Sequence, residues 1–339
     1  MSFGVRAGGG LVWRDGSDAV DLTSLGDVFA QRSLNTLMAQ GPAAWREAIA
    51  AAQWHDGPRK AVAETRLRLP FEVADYVDFY SSREHVENMA RMFRPGADPL
   101  PPSWLSLPIG YHGRAGTVAV SGTDVKRPRG ILGPGEFGPS QRLDVELELG
   151  FVVGVPSAEP VRTADFGDHV FGVVLVNDWS ARDIQVFEYV PLGPFLGKSF
   201  LTSISAWVTP FSLLASRRVE APAQDPSPLP HLAGGRDWAL DLDLSIELNG
   251  ETISRGNARG LYWTMPQQLA HATSNGATVR TGDLMASGTI SGSDPGTEGS
   301  LIELTNNERF LADGDEVVLR ARGGDVELGE VRGRVIPPD

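Results

Sequence analysis

Cysteine is missing altogether from the 339 residues. Its absence excludes disulfides, thiolate zinc sites and a cysteine nucleophile together. No apolar run approaches the ~18 residues that would span a bilayer, and the opening MSFGVRAGGG lacks the basic-then-apolar pattern of a secretory signal. The cytoplasm is the expected location. Positive charge is also in short supply: 30 Lys and Arg stand against 43 Asp and Glu, a formal charge of −13. Nucleic acid and anionic membrane surfaces are therefore not expected partners. The acid excess suits a cation-binding protein, although solubility alone accounts for most of it. There is no internal repeat and no low-complexity tract.

What is present is glycine and proline, 39 and 24 residues, dispersed rather than periodic. That pattern predicts many turns and a β-rich fold. Length allows one large and one small domain. Short strand-like pieces in residues 3–23 predict a small antiparallel module. Pro42 opens a helix with Trp45 and Ile49 on one face. A boundary is placed near residue 70. Beyond it the strand candidates are 117–120, 145–153, 170–178, 204–208, 238–248, 316–322 and 326–335, with Asn249-Gly250 as a two-residue hairpin signal. A helix over 264–275 starts on Thr264 and Gln267, spaced as a capping box, and the Pro/Asp/Gly-rich stretch 218–237 is expected to be a loop.

Three acids in RLDVELELGFVVG, Asp144, Glu146 and Glu148, share one face of a strand. A polar solvent face is the plain reading. Against it, the row runs straight into apolar GFVVGV, and Asp178 ends the buried-looking run VVLVND. Carboxylates crowded in an interior repel and lose solvation, so they need a cation. Oxygen-only ligands point to Ca²⁺ or Mg²⁺. After Asp178, Ser180 is a plausible helix N-cap, and Arg182, Gln185 and Tyr189 follow on a polar helix face. Lys198 follows a Pro-Leu-Gly-Pro turn. GPFLGKS fails as a phosphate loop because three residues, not four, separate its glycines and a strand follows. The stretch 75–94 holds Asp78, Tyr80, His85 and Arg94, with Ser82 as a helix cap. His85 alone is equally well an ordinary amphipathic-helix histidine. Glu303 alternates with Leu301 as on a strand, where it would face solvent or orient a histidine.

DFYSSREH, LPIGYHGR, LDVELELGFVVG, NDWSARDIQVFEYVPLGPFLGKSF and SGTISG, in that order, resemble the fumarylacetoacetate hydrolase family along nearly the whole chain. The resemblance implies a metal-dependent hydrolase that cleaves the carbon–carbon bond of fumarylacetoacetate to fumarate and acetoacetate, the last step of tyrosine and phenylalanine degradation. It implies a mainly β, β-rich α+β chain: a mixed β-sandwich roll over 71–339, preceded by a small SH3-like β-barrel over 1–70. A homodimer is implied as well. Asp78, Glu146, Glu148 and Asp178 would hold a divalent cation, Ca²⁺. Asp178, Lys198 and Thr202, with backbone oxygens of Trp179 and Leu201, would surround a second, Mg²⁺. Leu201 stands where the family commonly has glycine. His85 would be the general base, oriented by Glu303, and Arg94, Gln185 and Lys198 would donate to an oxyanion. Tyr80, Arg94, Tyr111, Gln185, Tyr189 and Thr289 would contact a small β-diketo acid. An acylpyruvate hydrolase or β-keto-acid decarboxylase would use the same Glu146, Glu148 and Asp178. A non-catalytic cation-binding protein would explain the acids but not His85, Arg94 and Lys198.

Overall fold

The computed structural model describes residues 1–96, 98–234 and 238–338; residues 235–237 of the expected loop lie outside these. The fold is mainly β. Its central sheet runs, strand beside strand, from Arg59–Ala61 through Asp18–Asp21, Leu11–Asp15, Ser2–Val5, Trp207–Pro210, Val170–Asp178, Leu147–Val153, Leu284–Ala286 and Tyr76–Phe79 to Gly110–His112. Thr202–Ile204 also pairs with the end of Val170–Asp178, and on its other side runs parallel to Val118–Val120.

Val170–Asp178 is buried along its whole length, as its unbroken apolar run predicts. Alternation assigns its faces. Val173 and Leu175 pack with Phe151, Leu244, Ile246 and Leu319, so one core lies between the central sheet and a second one. That second sheet is ordered Glu251–Asn257, Asp243–Leu248, Glu316–Gly323, Val326–Ile336 and Val125–Lys126. Val174 and Val176 face the other way, into a core with Phe3, Val5, Leu37 and Trp45. The N-terminal residues thus cover the far face of the site-bearing strand.

Those first strands form a meander that joins the central sheet where Ser2–Val5 pairs with Trp207–Pro210. An Arg6–Leu67 bridge, with Arg68 N donating to Val5 O, brings the chain after Arg59–Ala61 back to the first strand.

Local signals hold where they are physical. Asn249 and Gly250 both take positive φ, 53° and 84°, the backbone of a tight hairpin turn. Helix Met265–Thr273 begins on Thr264, whose N–H donates to Gln267 Oε1 at 3.0 Å. Helix Arg83–Phe93 is capped by Ser82, which accepts from His85 N. Two expected strands are interrupted: 204–208 divides into Thr202–Ile204 and Trp207–Pro210, and 238–248 into Trp238–Leu240 and Asp243–Leu248. The first break lies at Ser205, whose hydroxyl donates to Trp207 O (2.7 Å) and turns the chain. Among the described residues no helix is long and apolar enough to cross a membrane.

Candidate active site

Strand order brings the acids together. Asp178 closes one strand, and its N–H donates to Glu146 O (3.2 Å) on the antiparallel neighbour, which carries Glu148 two residues on. Leu284–Ala286 follows, and runs parallel to Tyr76–Phe79 with Ala286 beside Asp78. Antiparallel neighbours reverse direction, so two strand ends and one strand start meet at a single edge. There one oxygen from each of Asp78, Glu146, Glu148 and Asp178 lies within 4.8 Å of the others, all four residues buried.

The surroundings divide this cluster in two. Lys198 Nζ donates to Asp178 Oδ2 (2.8 Å) and to Glu146. Thr202 Oγ1 reaches Asp178 Oδ1 at 2.9 Å, and Tyr111 OH reaches Asp178 Oδ2 at 3.2 Å. Arg182 pairs with Glu146 Oε1 at 2.7 Å. Burial works against the ionised Glu146, but Lys198 and Arg182 outweigh it and hold its pKa well below the usual carboxylate range. Burial likewise opposes the Lys198 ammonium, and Asp178 and Glu146 more than restore it. Asp78 and Glu148 have no such partners: burial first, then the neighbouring carboxylates, push both carboxyls well up. Their Asp78 Oδ1 and Glu148 Oε1 are buried without a hydrogen-bond partner. Buried polar atoms are rarely left orphaned. Two orphan carboxylate oxygens inside a four-acid cluster fit a hard divalent cation such as Ca²⁺ or Mg²⁺.

Beside the acids sits a second assembly. His85 Nδ1 lies 2.7 Å from Glu303 Oε2, both side chains buried. A carboxylate only accepts, so Nδ1 carries a proton and donates it to Glu303, which leaves Nε2 as the nitrogen that can take up or give a proton. Glu303 also accepts from Asn88 Nδ2 (2.9 Å), Ser291 Oγ (2.9 Å) and Ser300 Oγ (2.5 Å). Burial raises the Glu303 carboxyl, but His85 and these hydrogen bonds overcome it and hold it ionised. Tyr80 stands edge-on to His85, ring centroids 5.3 Å apart, and burial beside Glu303 pushes its hydroxyl up. Arg182, paired with Glu146, and Leu301 N, in the turn that carries Glu303, both donate to Asp144, so the two assemblies border one site.

The remaining expected residues are more scattered. Gln185 Oε1 accepts from Arg182 Nη1 (3.2 Å), beside Gly197, where an added Cβ would stand 2.7 Å from Gln185 N. Thr289 is buried with an unpartnered hydroxyl, next to Gly288, whose N–H donates to Glu148 Oε2 (3.1 Å). Trp179 is buried and sends its indole N–H to Ser203 Oγ (2.9 Å). Leu201 is half-buried. Arg94 ends its helix exposed, near enough to Tyr80 to act on its hydroxyl. Tyr189 is 46% exposed, at the end of helix Arg182–Glu188.

Two expectations are corrected. Glu303 is on a one-turn helix, Leu301–Leu304, and not on a strand. Ser180 does not cap the helix; it pairs with Asp144, and its hydroxyl donates to Asp178 O (3.0 Å). Arg182 and the Asn88, Ser291 and Ser300 set are site residues that sequence reading gave no role. Only Arg182 left a signal, one helical turn after Asp178.

A family model, fumarylacetoacetate hydrolase C-terminal, matches residues 75–336. Fumarylacetoacetase of Rattus norvegicus is 44% identical over 354 residues, covering 91% of this chain and 84% of the rat protein. The Homo sapiens fumarylacetoacetase is 43% identical over 355 residues, with 92% and 85% covered, and that of Arabidopsis thaliana 41% over 354, with 92% and 84%. Among solved structures, a fumarylacetoacetate hydrolase from Exiguobacterium antarcticum superposes with TM-score 0.66 at 17% identity, covering 99% of this chain and 98% of that one. Maleylpyruvate hydrolase from Sphingobium sp. SYK-6 superposes with TM-score 0.64 at 20% identity, covering 99% and 100%. These two share the fold.

Proposed function

The chain belongs to the fumarylacetoacetate hydrolase family, and on that premise we propose that it hydrolyses fumarylacetoacetate to fumarate and acetoacetate in tyrosine and phenylalanine breakdown. It is a hydrolase acting on carbon–carbon bonds. The observation that carries the reading is the pairing of the His85–Glu303 dyad with four buried acids, two of which keep an orphan oxygen.

Asp78, Glu146, Glu148 and Asp178 would hold Ca²⁺ or Mg²⁺, and Asp178, Lys198 and Thr202, with the backbone oxygens of Trp179 and Leu201, would surround a second cation. When bound, the cation supplies Lewis acidity toward the substrate's oxygens. His85 Nε2 takes a proton from water, and the water oxygen adds to the fumaryl group's own carbonyl carbon, the one joined to the double bond. Glu303 keeps the imidazole in the Nδ1–H tautomer and stabilises its charge. Lys198, Gln185 and Arg94 donate to the developing oxyanion, each such donor being worth about 3–4 kcal/mol. The carbon–carbon bond then breaks with its electron pair on the acetoacetate carbon. That carbon is protonated by Lys198 or a water. The hold of Glu146 and Asp178 on the ammonium favours the water. Tyr80, Tyr111, Tyr189 and Thr289 contact the substrate.

In the same proposal, residues 1–70 are a small SH3-like barrel and 71–339 the catalytic domain; the bridge between Arg6 and Leu67 supports this division, while the pairing of Ser2–Val5 with Trp207–Pro210 ties the two into one sheet. A homodimer is supported by the run of exposed apolar side chains Val186, Phe187, Val190, Leu192, Phe195 and Leu196. The absence of cysteine is in keeping with a cytoplasmic location. Proton NMR of the reaction tests the function: fumarate and acetoacetate should appear in equal amounts from fumarylacetoacetate. Turnover of an acylpyruvate with none of fumarylacetoacetate would refute the assignment.

A further inference from the structure

Asp144 is the third acid of the 144–146–148 row and stands outside the four-acid cluster. It is fully buried, and each of its hydrogen-bond partners donates. Oδ2 accepts from Arg182 Nε and Nη2 at 2.9 and 2.7 Å. Oδ1 accepts from Val145 N at 2.8 Å, Leu301 N at 2.9 Å and Ile302 N at 3.3 Å, the last shared with Oδ2 at 3.4 Å. The last two are the opening N–H groups of the turn that carries Glu303. The turn's own N-cap, Ser300, makes no side-chain cap bond, because its hydroxyl is spent on Glu303. A carboxylate 157 residues away in sequence therefore supplies that cap.

The same carboxylate holds Arg182, whose Nη2 also pairs with Glu146 Oε1 at 2.7 Å and whose Nη1 donates to Gln185. One oxygen of Asp144 thus fixes the base side of the site and the other fixes the cation side. We propose that Asp144 is a positioning residue that couples the two, aiming Glu303 at His85 through the turn 301–304 and setting how strongly Arg182 engages Glu146. This rests on the reading of His85 and Glu303 as the base pair, and names a residue on which that pair depends.

Breaking a buried ion pair destabilises a protein whatever its role, so the test separates the two oxygens. In Asp144→Asn the amide oxygen still accepts the three backbone N–H groups, while its NH₂ opposes Arg182, and the guanidinium moves onto Glu146. We expect a folded protein that keeps the downfield His85 Nδ1–H proton resonance, binds Ca²⁺ at least threefold more weakly in calorimetry, and loses at least tenfold in kcat. Asp144→Ala should lose the His85 resonance as well. Either variant, folded and showing kcat within twofold of the parent with unchanged Ca²⁺ affinity, would overturn the proposal. If the alanine variant fails to fold, the asparagine variant decides alone. Absence of turnover in the parent would count against the proposed function instead; Ca²⁺ affinity and the imidazole resonance would still read the coupling.

Discussion

His85 is the group whose loss should separate chemistry from binding. It donates to Glu303 and is not one of the four clustered acids. In His85→Ala we expect Ca²⁺ affinity within about threefold of the parent in calorimetry and a kcat lower by roughly 10²–10⁴-fold, the usual contribution of a general base. The acids carry the pH dependence. Burial and like-charge neighbours raise Asp78 and Glu148, so a cation must displace protons that these carboxyls hold above the ordinary carboxylate range. Cation affinity should therefore climb with pH, and calorimetry in two buffers of different ionisation enthalpy should show proton release on binding. Equal apparent enthalpies in both would refute this. The 144–146–148 row was legible because alternation is a backbone property. Asn88, Ser291 and Ser300 were not, since common polar residue types meet Glu303 only through folding. Asp78 and His85 acquired meaning through resemblance, not through spacing.

At the scale of elements, the site depends on how closely Leu284–Ala286 and its following turn lie against Tyr76–Phe79. Gly288 has φ 78°, and a Cβ there would stand 2.1 Å from Phe79 O. That contact is with backbone, so it is relieved only by moving the strand that carries Asp78. Gly288→Ala should lower the melting temperature and weaken Ca²⁺ binding together. A loss of stability with Ca²⁺ affinity intact would show that the strand's position is not what sets the cluster. Long elements could be read from the sequence: the unbroken apolar run of 170–178, Pro42 opening its helix, Asn249-Gly250 in its hairpin. Short ones could not. Leu301–Leu304 is one turn, too brief for helical periodicity to emerge from four residues, and its start is set by Asp144, distant in sequence.

For the whole molecule, a chain of formal charge −13 buries four clustered acids, of which Glu146 and Asp178 are paired with Arg182 and Lys198 and Asp78 and Glu148 are not. Asp78 and Glu148 have folded pKa values above those of the unfolded chain. Between the two the native state holds more protons, so stability of the cation-free protein should fall as pH rises through that window. Saturating Ca²⁺ should remove the decline, adding ~2.7 kcal/mol at a concentration 100-fold above Kd; melting curves from pH 5 to 8 with and without Ca²⁺ check both. The mainly β architecture was legible from turn residues and strand alternation. That the first strands extend the catalytic sheet was not, because the Ser2–Val5 pairing with Trp207–Pro210 joins segments about 200 residues apart and no local pattern encodes it. In the proposed function, cation-loaded acids and a histidine base together cleave a carbon–carbon bond. Its most direct test is the decay of fumarylacetoacetate absorbance by the purified chain before chelation, after chelation, and after Ca²⁺ or Mg²⁺ is restored. Decay, arrest and recovery are the expected results. Decay undiminished by exhaustive chelation, or none at any cation concentration, would contradict it.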